Sequence, residues 1–169
     1  RLNGAEIHRF TPVTGTEQNS DSTWNIRTEK GDIHAEWVVN AAGLWGREVG
    51  KLANINLPLQ PTEHQYFVTD TINEIKNFST RLPSVADRDG EYYLRQEGKG
   101  LLIGAYEKNY KLWAEKETPK DFGHDLFDDD LERIEENILR AIDRVPIAGS
   151  AGIKRVINGP MIWSPDSNV

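Results

Sequence analysis

The chain is 169 residues long with a formal net charge of −7, and 27 acidic side chains against 20 basic ones leave no cationic stripe for a general nucleic-acid binder. The absence of cysteine excludes a disulfide framework and a zinc–thiolate centre. No apolar run reaches bilayer length, and the length suffices for one domain core or for parts of two.

Residues 5–13 read as a strand ending at the turn residues Thr14, Gly15 and Thr16. Two β-rich runs, 22–28 and 32–37, flank Glu29, Lys30 and Gly31, the signature of a hairpin. His8, His34 and, further on, His124 read as surface or loop residues. Trp37, Val38 and Val39 form a continuous apolar run, which predicts a strand buried on both faces as in a parallel sheet. Ala41, Ala42 and Gly43 follow at once, and Leu44, Trp45, Val49 and Leu52 then recur at helical spacing. A strand, a small-residue turn and a helix start let backbone N–H groups meet an anion, although packing alone also calls for small residues there.

From Leu57 the composition shifts to proline and β-formers. Residues 61–70 predict a strand with His64, Tyr66 and Val68 on one face and Gln65, Phe67 and Thr69 on the other. A loop is expected over 71–89, then a hairpin of 90–96 and 101–106, with Tyr92 and Leu94 opposite in face to Tyr93 and Arg95. Trp113 and Phe122 are expected to anchor the polar stretch 110–127. Asp128, Asp129 and Asp130 precede a helix, where negative charge caps and complements the dipole. Capping is the preferred reading over a metal site, since no matching ligand cluster accompanies the triplet. In that helix Leu131, Ile134, Ile138 and Ile142 form the inner stripe, with Leu139 alongside and Glu136–Arg140 as an outer i,i+4 pair. The final β-like stretch, 154–163, is expected to break at Asn158, Gly159 and Pro160. The chain opens at Arg1 and closes at Val169 without an obvious start or closing element, and so reads as a piece of a longer polypeptide.

Several motifs coincide with one family. The segment 37–46 (WVVNAAGLWG) resembles the nucleotide-side segment of FAD-dependent amine oxidoreductases of the D-amino-acid-oxidase type. Residues 61–69 (PTEHQYFVT), 92–97 (YYLRQE), 156–160 (VINGP) and 164–166 (SPD) are similar to the dimethylglycine and sarcosine dehydrogenase group, in the same order across nearly the whole chain. The resemblance implies an α+β chain, with part of an FAD-binding domain over residues 1–52, an antiparallel-sheet substrate domain over 53–158, and a return to the FAD domain over 159–169. It implies oxidative demethylation of N-methylated glycine, dimethylglycine or sarcosine, by hydride transfer to flavin. It carries His64 and Tyr92 over as the proton-handling pair, with Tyr66 and Arg95 as lesser pocket residues. Arg95 has the pleat against it if Tyr92 faces the site. Val13, Ala42, Gly43, Leu44 and Trp45 are implied to lie near FAD. The family's glycine-rich dinucleotide fingerprint and flavin-linking histidine have no counterpart here. Tetrahydrofolate would act through a region outside this chain, and an electron-transfer flavoprotein is a candidate acceptor. The compartment would be the mitochondrial matrix in a eukaryote and the cytoplasm in a bacterium. The rival readings are a non-catalytic regulatory relative, of the pyruvate dehydrogenase phosphatase type, and another amine or amino-acid oxidase of the same fold.

Overall fold

Glycines, turn residues and β-formers divide the chain into short strands, and a computed structural model describes residues 3–123 and 125–166. His124 and the closing residues 167–169 lie outside the described residues. Backbone packing separates two units, residues 1–59 with 164–169 and residues 60–163.

In the first unit, β1 (Val13–Gln18), β2 (Trp24–Thr28) and β3 (Gly31–Ala35) form an antiparallel sheet in that order. The predicted hairpin is present, and its Gly31 sits at φ 117°, where an L side chain is strained. The strand predicted over 5–13 is not. Phe10 at φ 53° interrupts the extended run, and β1 begins only at Val13. It then passes through Thr14, Gly15 and Thr16, which the sequence marked as a turn. A register irregularity between Val13 and Gly15 makes this workable, and Gly15 lies where a Cβ would meet the Arg27 guanidinium at 3.0 Å.

Residues 37–39 also depart from expectation. They form no strand, and Trp37 and Val39 are exposed at 82% and 85%. A doubly buried strand needs neighbours on both sides, and no described strand pairs with these residues. Gly43–Trp45 makes a 3₁₀ turn that leads into α1 (Gly46–Leu52). Asn40 holds the turn: its side chain donates to the Gly46 carbonyl at 2.8 Å and accepts from Ala42 N–H at 3.2 Å. The Thr16 hydroxyl donates to the Leu52 carbonyl at 2.8 Å, tying β1 to α1.

The second unit is built on β4 (Gln60–Thr69), the strand predicted around His64. It is joined by β5 (Val85–Asp87), β6 (Tyr92–Glu97), β7 (Gly100–Ala105), β8 (Lys111–Leu112) and β9 (Ile153–Trp163). The order is β5-β6-β7-β4-β8, with β9 along the other side of β4, and every pairing is antiparallel. The loop predicted over 71–89 holds the short α2 (Asn73–Lys76) as well as β5. β9 does not break at 158–160. Asn158, Gly159 and Pro160 face Gln65, His64 and Glu63 in continuous register. An edge strand has N–H groups that point away from its neighbour, which is why proline is tolerated there.

One face of this sheet is covered by a 3₁₀ turn (Leu131–Ile134) running into α3 (Glu135–Arg144). Phe67, Tyr92, Leu94, Leu101 and Ile103 pack against Ala141, Ile138 and Ile142. Leu139, expected beside that stripe, is 58% exposed, because one step along a helix turns the side chain about 100°. The Glu136–Arg140 pair forms at 3.4 Å. Asp130 makes no side-chain cap bond. Its carboxylate instead takes Arg133 Nε at 3.1 Å. The fully buried Gln65 clamps the Asp130 backbone, donating to its carbonyl at 2.6 Å and accepting from its N–H at 3.2 Å. Trp113 packs on Phe122 and Phe127 at 4.7 and 5.4 Å between ring centroids. Among the described residues no carboxylate–histidine group is arranged to hold a metal, and no helix is long and apolar enough to cross a membrane.

Candidate functional site

The pleat of β4 divides its side chains. Glu63, Gln65 and Phe67 are buried beneath the helical layer, while His64 and Tyr66 are half-buried on the opposite face. His64 is therefore held by a central strand, hydrogen-bonded on both sides, yet stays accessible.

Its partner is Tyr93 and not Tyr92. Tyr66 pairs with Gly104 on β7, and Gly104 pairs with Tyr93 on β6, so residues 66 and 93 share a face. Tyr92, one step away, is 1% exposed in the core with Phe67 and Leu94. The expected His64–Tyr92 pair is thus corrected by the pleat. Gly104 makes the observed pair possible: a Cβ at this position would collide with the Tyr93 ring, which lies across the glycine toward β4. The Tyr93 hydroxyl stands 3.5 Å from His64 Nε2, at the outer edge of hydrogen-bond range, and the rings stack at 6.4 Å. Tyr106 completes the cluster, 6.2 Å from His64 and 5.3 Å from Tyr93 between centroids. The same inversion reverses the pleat argument against Arg95, which shares the face of Tyr93. Arg95 Nη1 pairs with Glu97 at 3.1 Å, with its side chain 41% exposed.

The sequence held a signal for this choice. Tyr92 and Leu94 alternate with Tyr93 and Arg95, so the more apolar pair marks the core face. The glycine opposite Tyr93 is the second sign.

Burial pushes the Tyr93 hydroxyl up to about 12, helped by neighbouring Tyr106, Tyr66 and the Glu107 carboxylate and opposed by Arg95. Tyr92 is also raised, first by burial and then by the charge of Asp87. On the other side of the imidazole, His64 Nδ1 faces Glu107 Oε2 at 3.5 Å. Glu107 was not anticipated from the sequence, since it lies just beyond β7 with no motif around it. A cleft of about 130 Å³ opens beside His64, with Tyr106, Tyr110 and Trp163 as aromatic walls.

In the first unit, the five residues expected near FAD fall at two places. Val13 opens β1 and is exposed. Ala42, Gly43, Leu44 and Trp45 span the 3₁₀ turn before α1, with Gly43 exposed and the others half-buried. Gly43 has φ 54° and nothing within 4 Å of where a Cβ would sit. Small side chains and an open backbone at residues 42–43 fit a flat or phosphate-bearing cofactor that approaches the main chain closely.

Comparison with known proteins agrees with this architecture. Residues 1–168 match the family described as DAO, FAD dependent oxidoreductase. The chain is 45% identical to human mitochondrial dimethylglycine dehydrogenase over 96% of its own length and 19% of the relative's. It is 38% identical to human mitochondrial sarcosine dehydrogenase, over 96% of this chain and 18% of that one. The mouse pyruvate dehydrogenase phosphatase regulatory subunit is 29% identical over 97% of this chain and 19% of its own. Among solved structures, L-proline dehydrogenase from P. horikoshii superposes with a TM-score of 0.69 at 25% identity, over 99% of this chain and 41% of that chain. The chain thus spans about a fifth of the curated relatives it matches. With an antiparallel sheet, an open His–Tyr face and a match along almost its whole length, the chain belongs to the DAO family of FAD-dependent oxidoreductases.

Proposed function

We propose that this chain is the inner part of a longer flavoprotein that oxidatively demethylates N-methylated glycine, dimethylglycine first and sarcosine second. In this reading the first unit, residues 1–59 with 164–169, belongs to the FAD-binding domain and the second, residues 60–163, to the substrate domain, a boundary moved from the one expected at 158 because β9 runs unbroken along β4 to Trp163. The observation that carries it is the imidazole of His64 on an open sheet face, with Nε2 3.5 Å from the Tyr93 hydroxyl. Bound FAD supplies the hydride acceptor, and Val13 and the 42–45 turn are the residues of this chain that would lie against it.

An alkylammonium has no free lone pair, so its proton must leave before the carbon–hydrogen bond is oxidised. Histidine is the side chain suited to take that proton near neutral pH. His64 accepts it at Nε2 and the nitrogen lone pair becomes available. Tyr93, kept neutral by burial, donates a hydrogen bond to Nε2 or to the substrate and holds the ring in place. Tyr66 and the ring of Tyr106 shape the wall of the pocket. Arg95 meets the substrate carboxylate by exchanging Glu97 for it, the fork geometry of guanidinium suiting either carboxylate. The iminium product would be hydrolysed or pass its one-carbon unit to tetrahydrofolate outside this chain, and an electron-transfer flavoprotein would be the acceptor for the electrons that bound FAD takes up. The compartment follows the mitochondrial relatives if the source is eukaryotic.

The test is His64→Ala in the full-length flavoprotein, with flavin reduction by dimethylglycine followed in a single anaerobic turnover. A loss of about a hundredfold or more is expected from removing a general base. An unchanged rate would remove His64 from the chemistry. A protein that binds FAD but is not reduced by dimethylglycine or sarcosine, even as wild type, would instead favour the regulatory reading.

A further inference from the structure

We propose that Glu107 is the positioning residue of His64, fixing which ring nitrogen carries the proton. The inference rests on the role given to His64 above.

The two oxygens of Glu107 have different partners. Oε1 accepts from Arg133 Nη1 at 2.7 Å, and Oε2 faces His64 Nδ1 at 3.5 Å. The Glu107 side chain is only 4% exposed and that of Arg133 8%. Arg133 is itself anchored, with Nε on Asp130 at 3.1 Å, Nη2 3.8 Å from Glu63, and Nη1 also 3.5 Å from the Glu63 carbonyl. Lys111 closes on the other Glu63 oxygen at 2.8 Å. Glu107 therefore stands where a chain of charges beneath the sheet meets the imidazole on its open face. Tyr93 and Tyr106 stand against that ring, Tyr66 shares its face of β4, and Thr62, Tyr110 and Trp163 line the cleft beside it.

A carboxylate can only accept hydrogen bonds. The nitrogen facing it, Nδ1, is then the one that carries the proton in the neutral ring, which leaves the lone pair of Nε2 directed at Tyr93 and the substrate. Without Glu107 both tautomers compete, and only one can take a proton from an amine at Nε2. Arg133 makes the arrangement one-way, because its N–H needs an acceptor on Oε1. In Glu107→Gln the amide oxygen must stay on Arg133, so the amide NH₂ is turned toward His64. Nδ1 then becomes the acceptor and Nε2 carries the proton. The isosteric substitution should thus select the wrong tautomer, by the same logic that applies to the buried acid of a serine-protease triad.

The experiment is a double-mutant cycle in the full-length flavoprotein, reading the single-turnover rate of flavin reduction by dimethylglycine. Flavin content and thermal midpoint report folding. Glu107→Gln should lower the rate about a hundredfold in the wild-type background and by less than about threefold in His64→Ala, since Glu107 acts only through the ring. Glu107→Asp, still acceptor-only, should retain a rate within about tenfold of wild type. If Glu107→Gln fails to take up flavin, Glu107→Asp takes its place in the cycle, with its smaller loss again confined to the background that has His64. An equal loss in both backgrounds would mean a merely structural ion pair and would overturn the proposal while leaving the role of His64 standing. A silent His64→Ala would take down the parent reading and this one together.

Discussion

The Tyr93 hydroxyl is pushed up to about 12, against 10 for a free tyrosine, so it remains a donor throughout the neutral range and cannot act as the base. The sign of the linkage follows. The folded state holds this proton more tightly than the unfolded chain, so its contribution is fully present below pH 10 and is lost as pH rises toward 12. Tyr93→Phe should therefore show a shallower fall in thermal midpoint across that alkaline window than the parent protein. A circular-dichroism melting series checks this, and identical slopes would contradict the burial assigned to the hydroxyl. Tyr92 behaves differently although it is adjacent. Its ring fills core, so Tyr92→Ala should cost about 3–5 kcal/mol of stability, by analogy with other buried aromatic truncations. Tyr93→Phe should instead slow flavin reduction, about tenfold, at little cost to stability. The two adjacent tyrosines thus separate stability from chemistry.

At the scale of elements, the β4–β7–β6 ladder is what turns His64 and Tyr93 toward each other. Its middle strand contributes no side chain at the crossing point, because Gly104 lies under the Tyr93 ring. Gly104→Ala should push the ring aside. Overpacking of this kind costs about 1–3 kcal/mol, and the displaced hydroxyl should slow flavin reduction to a degree similar to Tyr93→Phe. Urea melts and single-turnover kinetics on the same variant test both parts. Normal kinetics with full stability would show that the ring does not need the gap. On the covered face, Gln65 and Asn158 fix the segment that leads into α3: Asn158 donates to the Asp128 carbonyl at 2.8 Å, next to the clamp of Gln65 on Asp130. These side chains anchor the backbone ahead of the helix, where the aspartate triplet was expected to cap it. That substitution was not legible in the sequence, because the partners lie 30 and 65 residues away along the chain.

For the whole molecule, the first unit leaves large apolar side chains uncovered. Trp37 and Val39 are exposed although their apolar run suits a doubly covered strand, and the chain spans only about a fifth of its relatives. We expect the chain expressed by itself to lack tight FAD binding, and the absorbance spectrum after gel filtration checks this. A stoichiometric flavin spectrum would contradict it. The sequence alone settled what depends on local pattern and on family motifs: the strand around His64, both hairpins, the inner stripe of α3, the family, and the face shared by His64 and Tyr66. Alternation places side chains relative to their own strand, and those features need nothing more. The tertiary structure alone decided which tyrosine meets the histidine, that Arg95 shares its face, and that Glu107 closes the far side of the ring. Each of these depends on register between strands and on charges brought together from 63, 107 and 133, and no local periodicity encodes such distances.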